Sequence, residues 1–284
     1  MHDSTHIGFI GAGNMAEAMA GALISSGSLS SRQLTLCDVK PERLRYLERQ
    51  HHVLTTEEAA HVFSEADTVI LAVKPQSMKP LLTQLTAKGL HHTLKRKQII
   101  TIAAGLPLSC YEAILYEGLS QEERSQLPIM RVMPNTPSLV RSGMSGLCGN
   151  DQTTQEDLEQ AEKILSSMGR VLRVKESQMD AVTAISGSGP AYFFYVVETM
   201  VKAAQELGFS EEEATLLASN TLRGAAHLLC NSLDSPAELR KKVTSPGGTT
   251  EAALTTMEKE RVAEGIQKGI RAAAKRSKEL SELI

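Results

Sequence analysis

The chain is poor in features that would tie it to an oxidising compartment, a membrane or a polyanion. Its four cysteines, Cys37, Cys110, Cys148 and Cys230, are far apart and show no metal-ligand spacing, so no metal site is expected. A disulfide framework is not expected in a chain of 284 residues, and the thiols read as reduced, as in a cytoplasm. No apolar run approaches the roughly 20 residues that cross a bilayer. The start, Met1-His2-Asp3-Ser4, lacks a basic segment, which argues against a signal peptide. A formal net charge of −3 gives no reason to expect a nucleic-acid partner. The short run Lys95-Arg96-Lys97 reads as a solvated loop before a strand. Neither an internal repeat nor a low-complexity segment is present. With 42% hydrophobic and 22% charged residues, the composition is that of a soluble, cytoplasmic, two-domain globular chain.

The first half alternates strand and helix signals. Strands are predicted at His6–Ile10, Leu34–Cys37, Asp67–Val73, Gln98–Ile102, Ile129–Met133 and Gly169–Val174. Helices are predicted after Asn14, after Pro41 and over Thr154–Met168. Near-continuous apolar strands between helices indicate an α/β domain, over residues 1–175, with a parallel sheet covered on both faces. Beyond Lys175 the pattern becomes all-α, over residues 176–284. Pro190–Leu207, Glu211–Cys230, Pro236–Val243 and Thr250–Leu283 read as helices, with capping boxes at Ser210/Glu213 and Ser235/Glu238.

Gly11-Ala12-Gly13-Asn14-Met15-Ala16 is G-x-G-x-x-A placed after a strand and before a helix. The first glycine permits a tight turn, the second lets a pyrophosphate approach the backbone, and Ala16 allows close helix–strand packing. The phosphates would sit on the helix N-terminus, where free N–H groups and the dipole favour anions. Asp38 ends the next strand about twenty residues on, where a carboxylate bonds a ribose 2′-hydroxyl and repels a 2′-phosphate. Its position favours NADH; Lys40 and Arg43 can offset that repulsion, and Asp38 can also be a cap before Pro41. Ala72-Val73-Lys74-Pro75 and Ile102-Ala103-Ala104-Gly105 are strand ends facing the same crevice. Lys74 either meets a phosphate or is solvated. In Met133-Pro134-Asn135-Thr136-Pro137, Asn135 either bonds the nicotinamide carboxamide or makes a plain Asx turn.

In the helical half, Val243-Thr244-Ser245-Pro246-Gly247-Gly248-Thr249-Thr250 joins two helices. Two glycines and several hydroxyls leading into a helix suit an anion nest, and a small carboxylate fits it better than a second nucleotide. Ser186-Gly187-Ser188-Gly189-Pro190-Ala191-Tyr192 opens the first long helix and is either structural or ligand-contacting.

Together Phe9–Met15, Asp180-Ala181-Val182-Thr183 with Ser186–Tyr192, and Val243–Thr250 resemble the pyrroline-5-carboxylate reductase family across essentially the whole chain. The resemblance implies a Rossmann domain followed by a helical substrate and dimerisation domain that interlocks with its twin. It also implies a shared active site, dimers that associate into decamers, and reduction of 1-pyrroline-5-carboxylate to L-proline by NADPH or NADH. Carried over by motif, Ile10, Gly11, Ala12, Gly13, Asn14, Met15, Ala72, Val73, Lys74, Pro75, Ile102, Ala103 and Ala104 would contact cofactor. Glu176, Ser245, Gly247, Gly248, Thr249 and Thr250 would lie at the substrate. Lys242 departs from the uncharged amide expected before this loop.

The chemistry implied is modest, because the cofactor carries the hydride and the protein orients and polarises. A cyclic imine enters already protonated, so no strong general acid is needed. Thr250 would hold the ring nitrogen while loop N–H groups hold the carboxylate. No His-Asp pair is placed for catalysis, and His227 reads as a core or surface residue. A β-hydroxyacid dehydrogenase would want an asparagine one turn after a helical lysine, but Lys202 is followed by Glu206. A non-catalytic dinucleotide sensor would not need the 243–250 loop.

Overall fold

In the computed structural model, which describes residues 5–93 and 95–282, packing separates the chain into two compact units. One holds the residues up to Gly187 together with those from Ala273 onward, and the other holds Ser188–Ala272.

The first unit is built on an eight-stranded sheet. Its strands are β1 (Ile7–Ile10), β2 (Leu34–Cys37), β3 (Leu54–Thr56), β4 (Thr68–Leu71), β5 (Gln98–Thr101), β6 (Ile129–Met133), β7 (Gly143–Gly149) and β8 (Gly169–Arg173). They lie in the order β3-β2-β1-β4-β5-β6-β7-β8. The first six are parallel; β7 pairs antiparallel to β6 and parallel to β8. An all-parallel sheet is thus corrected at its far edge, where two strands reverse. Helices α1 (Asn14–Ser25), α2 (Pro41–His51), α3 (Ala59–Glu65), α4 (Pro75–Ala87), α5 (Leu108–Leu115), α6 (Gln121–Ser125) and α7 (Gln155–Ser166) connect them, and short α8 (Met179–Val182) follows β8.

Strands β1, β2, β4 and β5 are buried at every residue. Successive side chains alternate between two cores: Ile7, Phe9, Ile70 and Ile100 join one, and Ile10, Val69, Leu71 and Ile99 the other. This is the two-residue period of a sheet covered on both faces.

Strands β3 and β7 escape sequence reading for different reasons. The first is a three-residue edge strand with exposed Leu54. The second, Gly-Met-Ser-Gly-Leu-Cys-Gly, contains three glycines, a composition that argues against a strand. Those glycines answer to close approach. A Cβ on Gly143 would lie 2.1 Å from Ser138 Oγ, and one on Gly146 would lie 2.8 Å from Val182.

The basic run before β5 is corrected in part: Lys95 and Arg96 are exposed as expected, but Arg96 and Lys97 clasp neighbouring segments. Lys97 is buried and donates to the carbonyls of Ala66 and Ser64. Arg96 pairs with the buried carboxylate of Asp157, which also accepts from Gln98 Nε2 at 3.0 Å and caps α7 through Thr154.

The second unit contains α9 (Gly189–Glu206), α10 (Glu211–Asn231), α11 (Pro236–Lys242), α12 (Thr249–Lys259) and the start of α13 (Val262–Glu282). Both expected capping boxes form, at Ser210/Glu213 and Ser235/Glu238. Gly208, at φ +100°, ends α9. The expected single helix from Thr250 onward is broken at Arg261, which takes φ +55°; its expected end, Leu283, lies outside the described residues. No glycine or proline marks that turn, so nothing in the local sequence announces it. Among the described residues no helix is long and apolar enough to cross a membrane.

Candidate functional site

The strand order reverses between β1 and β4, the switch point where open α/β sheets bind ligands at their carboxyl ends. The G-x-G-x-x-A turn sits there. Gly11 takes φ +98°, and a Cβ on it would lie 2.6 Å from the backbone of Ala72, so glycine is enforced twice. Its N–H donates to Cys37 O at 2.8 Å, while Ala72 N–H donates to Ile10 O at 2.8 Å, tying three strand ends together. Ile10 itself is buried and offers only backbone.

Gly13 is different. Its φ of −70° suits any residue, and a Cβ on it would meet no atom within 4 Å. The protein gives no internal reason for a glycine there. What an added side chain would obstruct is the open space in front of α1, whose first turn carries no side-chain cap. Uncapped N–H groups of this kind attract a phosphate. These residues fit a dinucleotide pyrophosphate, with Asn14 and Met15 opening the helix and Ala16 buried beneath it.

The other candidates line the same rim. Lys74 is exposed and precedes α4, which opens on Pro75; Ala72 and Val73 are half-buried. After β5, Ile102 N–H donates to Leu71 O at 3.1 Å and Ala103 N–H to Thr101 Oγ1 at 3.3 Å, with Ala104 exposed. Beneath this turn Thr101 Oγ1 lies 2.6 Å from Tyr111 OH, whose pKa burial raises to about 12.

Two candidates already hold hydrogen bonds within the chain. The Asp38 carboxylate accepts from Ala12 N–H at 2.9 Å and from Lys40 N–H at 3.1 Å, so it anchors the dinucleotide turn and does not cap α2. Asn135 accepts from Met144 N–H at 2.9 Å and donates to Ser186 O and Oγ at 3.3 and 3.2 Å. Asn135 Oδ1 accepts one bond here, and an amide oxygen has capacity for a second.

Within the second unit, the 243–250 loop is held by its own backbone. Gly248 N–H donates to Ser245 O at 3.0 Å, and Gly247 takes φ +69°. Gly247 N–H points at a carboxylate, donating to Glu251 Oε2 at 2.7 Å. Helix α12 starts at Thr249 behind Gly248, with no side-chain cap. Thr250, half-buried, makes no hydrogen bond through its hydroxyl among the described residues, and Ser245 is exposed.

Residues 176–280 match a family model described as pyrroline-5-carboxylate reductase dimerisation, and residues 6–105 match one described as NADP oxidoreductase, coenzyme F420-dependent. A pyrroline-5-carboxylate reductase of Pseudomonas aeruginosa is 41% identical over 278 residues, covering 97% of each chain. The chain belongs to the pyrroline-5-carboxylate reductase family. A solved family structure from Coxiella burnetii superposes with TM-score 0.89 at 35% identity, covering 98% of this chain and 99% of that one. One from Plasmodium falciparum, with NADP bound, gives 0.83 at 26%, with the same coverage.

Set beside the family expectation, Glu176 stands in the first unit. Its Oε1 accepts from Leu108 N–H at 2.5 Å, at the start of α5, and lies 3.6 Å from the buried guanidinium of Arg131. Sequence reasoning missed Arg131, because a lone arginine in an apolar strand carries no motif. His227 is exposed on α10, Lys202 pairs with Glu198 at 2.6 Å, and Lys242 pairs with Asp234 at 2.5 Å. The buried thiols of Cys37 and Cys148 are pushed up to about 11 by burial, so neither is an activated nucleophile.

Proposed function

We propose that this protein reduces 1-pyrroline-5-carboxylate to L-proline, the last step of proline biosynthesis, using NADPH or NADH. The observation that carries the reading is the 243–250 loop, which already holds a carboxylate oxygen on Gly247 N–H at 2.7 Å. In the free chain the side chain of Glu251 stands where the imino acid's carboxylate would bind. Family membership over 97% of the chain supports the reaction assignment.

The bound nicotinamide supplies hydride to the imine carbon. The chain's own residues do the rest. Gly11, Gly13 and the first turn of α1 seat the pyrophosphate, and Ile102–Ala104 present a flat backbone to the nicotinamide ring. Ser245, Gly247, Gly248 and Thr249 bind the substrate carboxylate. The unbonded Thr250 hydroxyl accepts from the protonated ring nitrogen and holds the C=N bond for attack. Hydride addition to an already protonated imine yields the neutral amine directly, so no acid with a shifted pKa is required. Glu176, Asp38 and Asn135 fix the loops on which the ligands lie.

The functional form in this proposal is a cytoplasmic homodimer that shares its active site and assembles further into decamers. The test is cofactor oxidation with 1-pyrroline-5-carboxylate, run in parallel with NADH and NADPH and with product proline quantified. Absence of proline with both cofactors overturns the assignment.

A further inference from the structure

The turn after β2 carries charges whose arrangement bears on which nicotinamide cofactor is taken. Arg43 lies in the first turn of α2, where an arginine can reach a ribose 2′-phosphate. Two of its five N–H donors, on the Nε/Nη2 edge, are already committed. Nε donates to Ala12 O at 2.7 Å, Nη2 donates to Glu17 Oε2 at 2.5 Å, and the guanidinium lies 5.2 Å from the centre of the Tyr46 ring. Glu17, on α1, is held from its other oxygen by His51 Nε2 at 3.2 Å. The Arg43 and Glu17 side chains are only 22% and 23% exposed, so this pair is better shielded than a surface bridge. Burial pushes the Glu17 carboxyl up, but hydrogen bonds from Arg43 and His51 bring it below the usual carboxylate range, so it stays charged at neutral pH.

Recognition of a 2′-phosphate rests on a free guanidinium fork and on the absence of a facing carboxylate. Here the Nε/Nη2 edge of the fork is occupied, and the Asp38 carboxylate is fixed by two backbone amides. Lys40 is exposed and adds a solvated point charge, which offsets Asp38 only in part.

We propose that Glu17 sets the cofactor selectivity of this protein, by drawing Arg43 onto α1 and leaving Asp38 to face the ribose, so that NADH is preferred over NADPH. Glu17 is a positioning residue that acts through Arg43 and touches no ligand. The inference rests on the dinucleotide site proposed above but not on the imino-acid substrate.

The experiment is fluorescence titration of the full-length protein with NADH and NADPH, paired with competition by 5′-AMP and 2′,5′-ADP. It compares the unaltered protein, Glu17→Gln, and Glu17→Gln combined with Arg43→Ala. The unaltered protein is expected to bind NADH at least about tenfold more tightly than NADPH. Glu17→Gln should narrow that ratio by about fivefold or more, with 2′,5′-ADP gaining on 5′-AMP in step; the added Arg43→Ala should restore the original ratio. A merely structural Glu17 would weaken both nucleotides alike and leave the ratio fixed. An unaltered protein that prefers NADPH, or a ratio unmoved by Glu17→Gln, overturns the proposal. No imino acid enters the measurement. Intact selectivity without proline formation would therefore sink the reaction and spare this inference, whereas binding of neither nucleotide sinks both.

Discussion

Phe9, Phe63 and Tyr111 in the first unit are almost wholly inaccessible, whereas Phe193, Phe194 and Tyr195 in the second are 58%, 66% and 71% exposed. The first unit closes two hydrophobic cores over a sheet with its own helices. In the second, the fully buried apolar side chains are the small ones of Ala214 and Ala218, and Leu216, Leu217, Leu228 and Leu229 are exposed as well. Such a concentration of exposed large apolar side chains marks an interface. The match of this half to a dimerisation model supports a homo-oligomer. One unit encloses its own cores; the other leaves large apolar side chains exposed, and their mutants should fail in different ways.

The largest effect is expected at a site where function and stability come apart. Gly13→Val places a branched side chain in open space, so the melting temperature should hold while dinucleotide affinity falls by about a thousandfold or more. Calorimetry showing near-normal affinity in a folded variant would remove Gly13 from the pyrophosphate site.

Asp157→Ala tests the first unit by stranding Arg96 and Gln98, at a cost of about 3 kcal/mol seen in thermal or urea unfolding. Burial alone would raise the Asp157 carboxyl, yet hydrogen bonds from Arg96, Thr154 and Gln98 bring it from 3.8 to about 2. A depressed folded pKa gives stability that is complete above about pH 4 and is lost as pH falls toward about 2. The same acid loss in Asp157→Ala as in the unaltered protein would show that the clasp is not its source.

Phe194→Asp tests the second unit. A charge in the apolar face should weaken self-association by roughly a hundredfold, with the first unit's near-ultraviolet signature kept, as read by sedimentation. An unaltered association constant would mean that this face is not the interface.

The smallest effect sharpens the comparison inside the second unit. Thr250→Ala should lower kcat/KM for the imino acid by about ten- to a hundredfold, leaving cofactor affinity in place. Because α12 has no side-chain cap, its melting temperature should barely move. Full turnover in this variant, with or without a lowered melting point, would end the case for the hydroxyl.

Much of the fold was legible because its signals are local. Continuous apolar strands, a proline or capping box at a helix start and a glycine at a helix end each act within a few residues. The fingerprint turn and the 243–250 loop were legible for the same reason: their chemistry is backbone chemistry, and glycine declares it. Strand β7, the break at Arg261 and the clasp of Arg96 and Lys97 were not. For β7 and the clasp, causes lie at Val182, Asp157 and Ala66, far along the chain.

The sequence by itself determined the two halves, the dinucleotide turn and the glycine-rich 243–250 loop, since propensity, periodicity and glycine freedom are properties of short segments. Only the tertiary structure decided what the charged side chains do. It turned Asp38 onto Ala12, Arg43 onto Glu17, Glu176 onto the start of α5 and Asn135 onto Ser186. A carboxylate or a guanidinium has several possible partners in the chain, and packing alone brings one of them within bonding distance while excluding water from the rest.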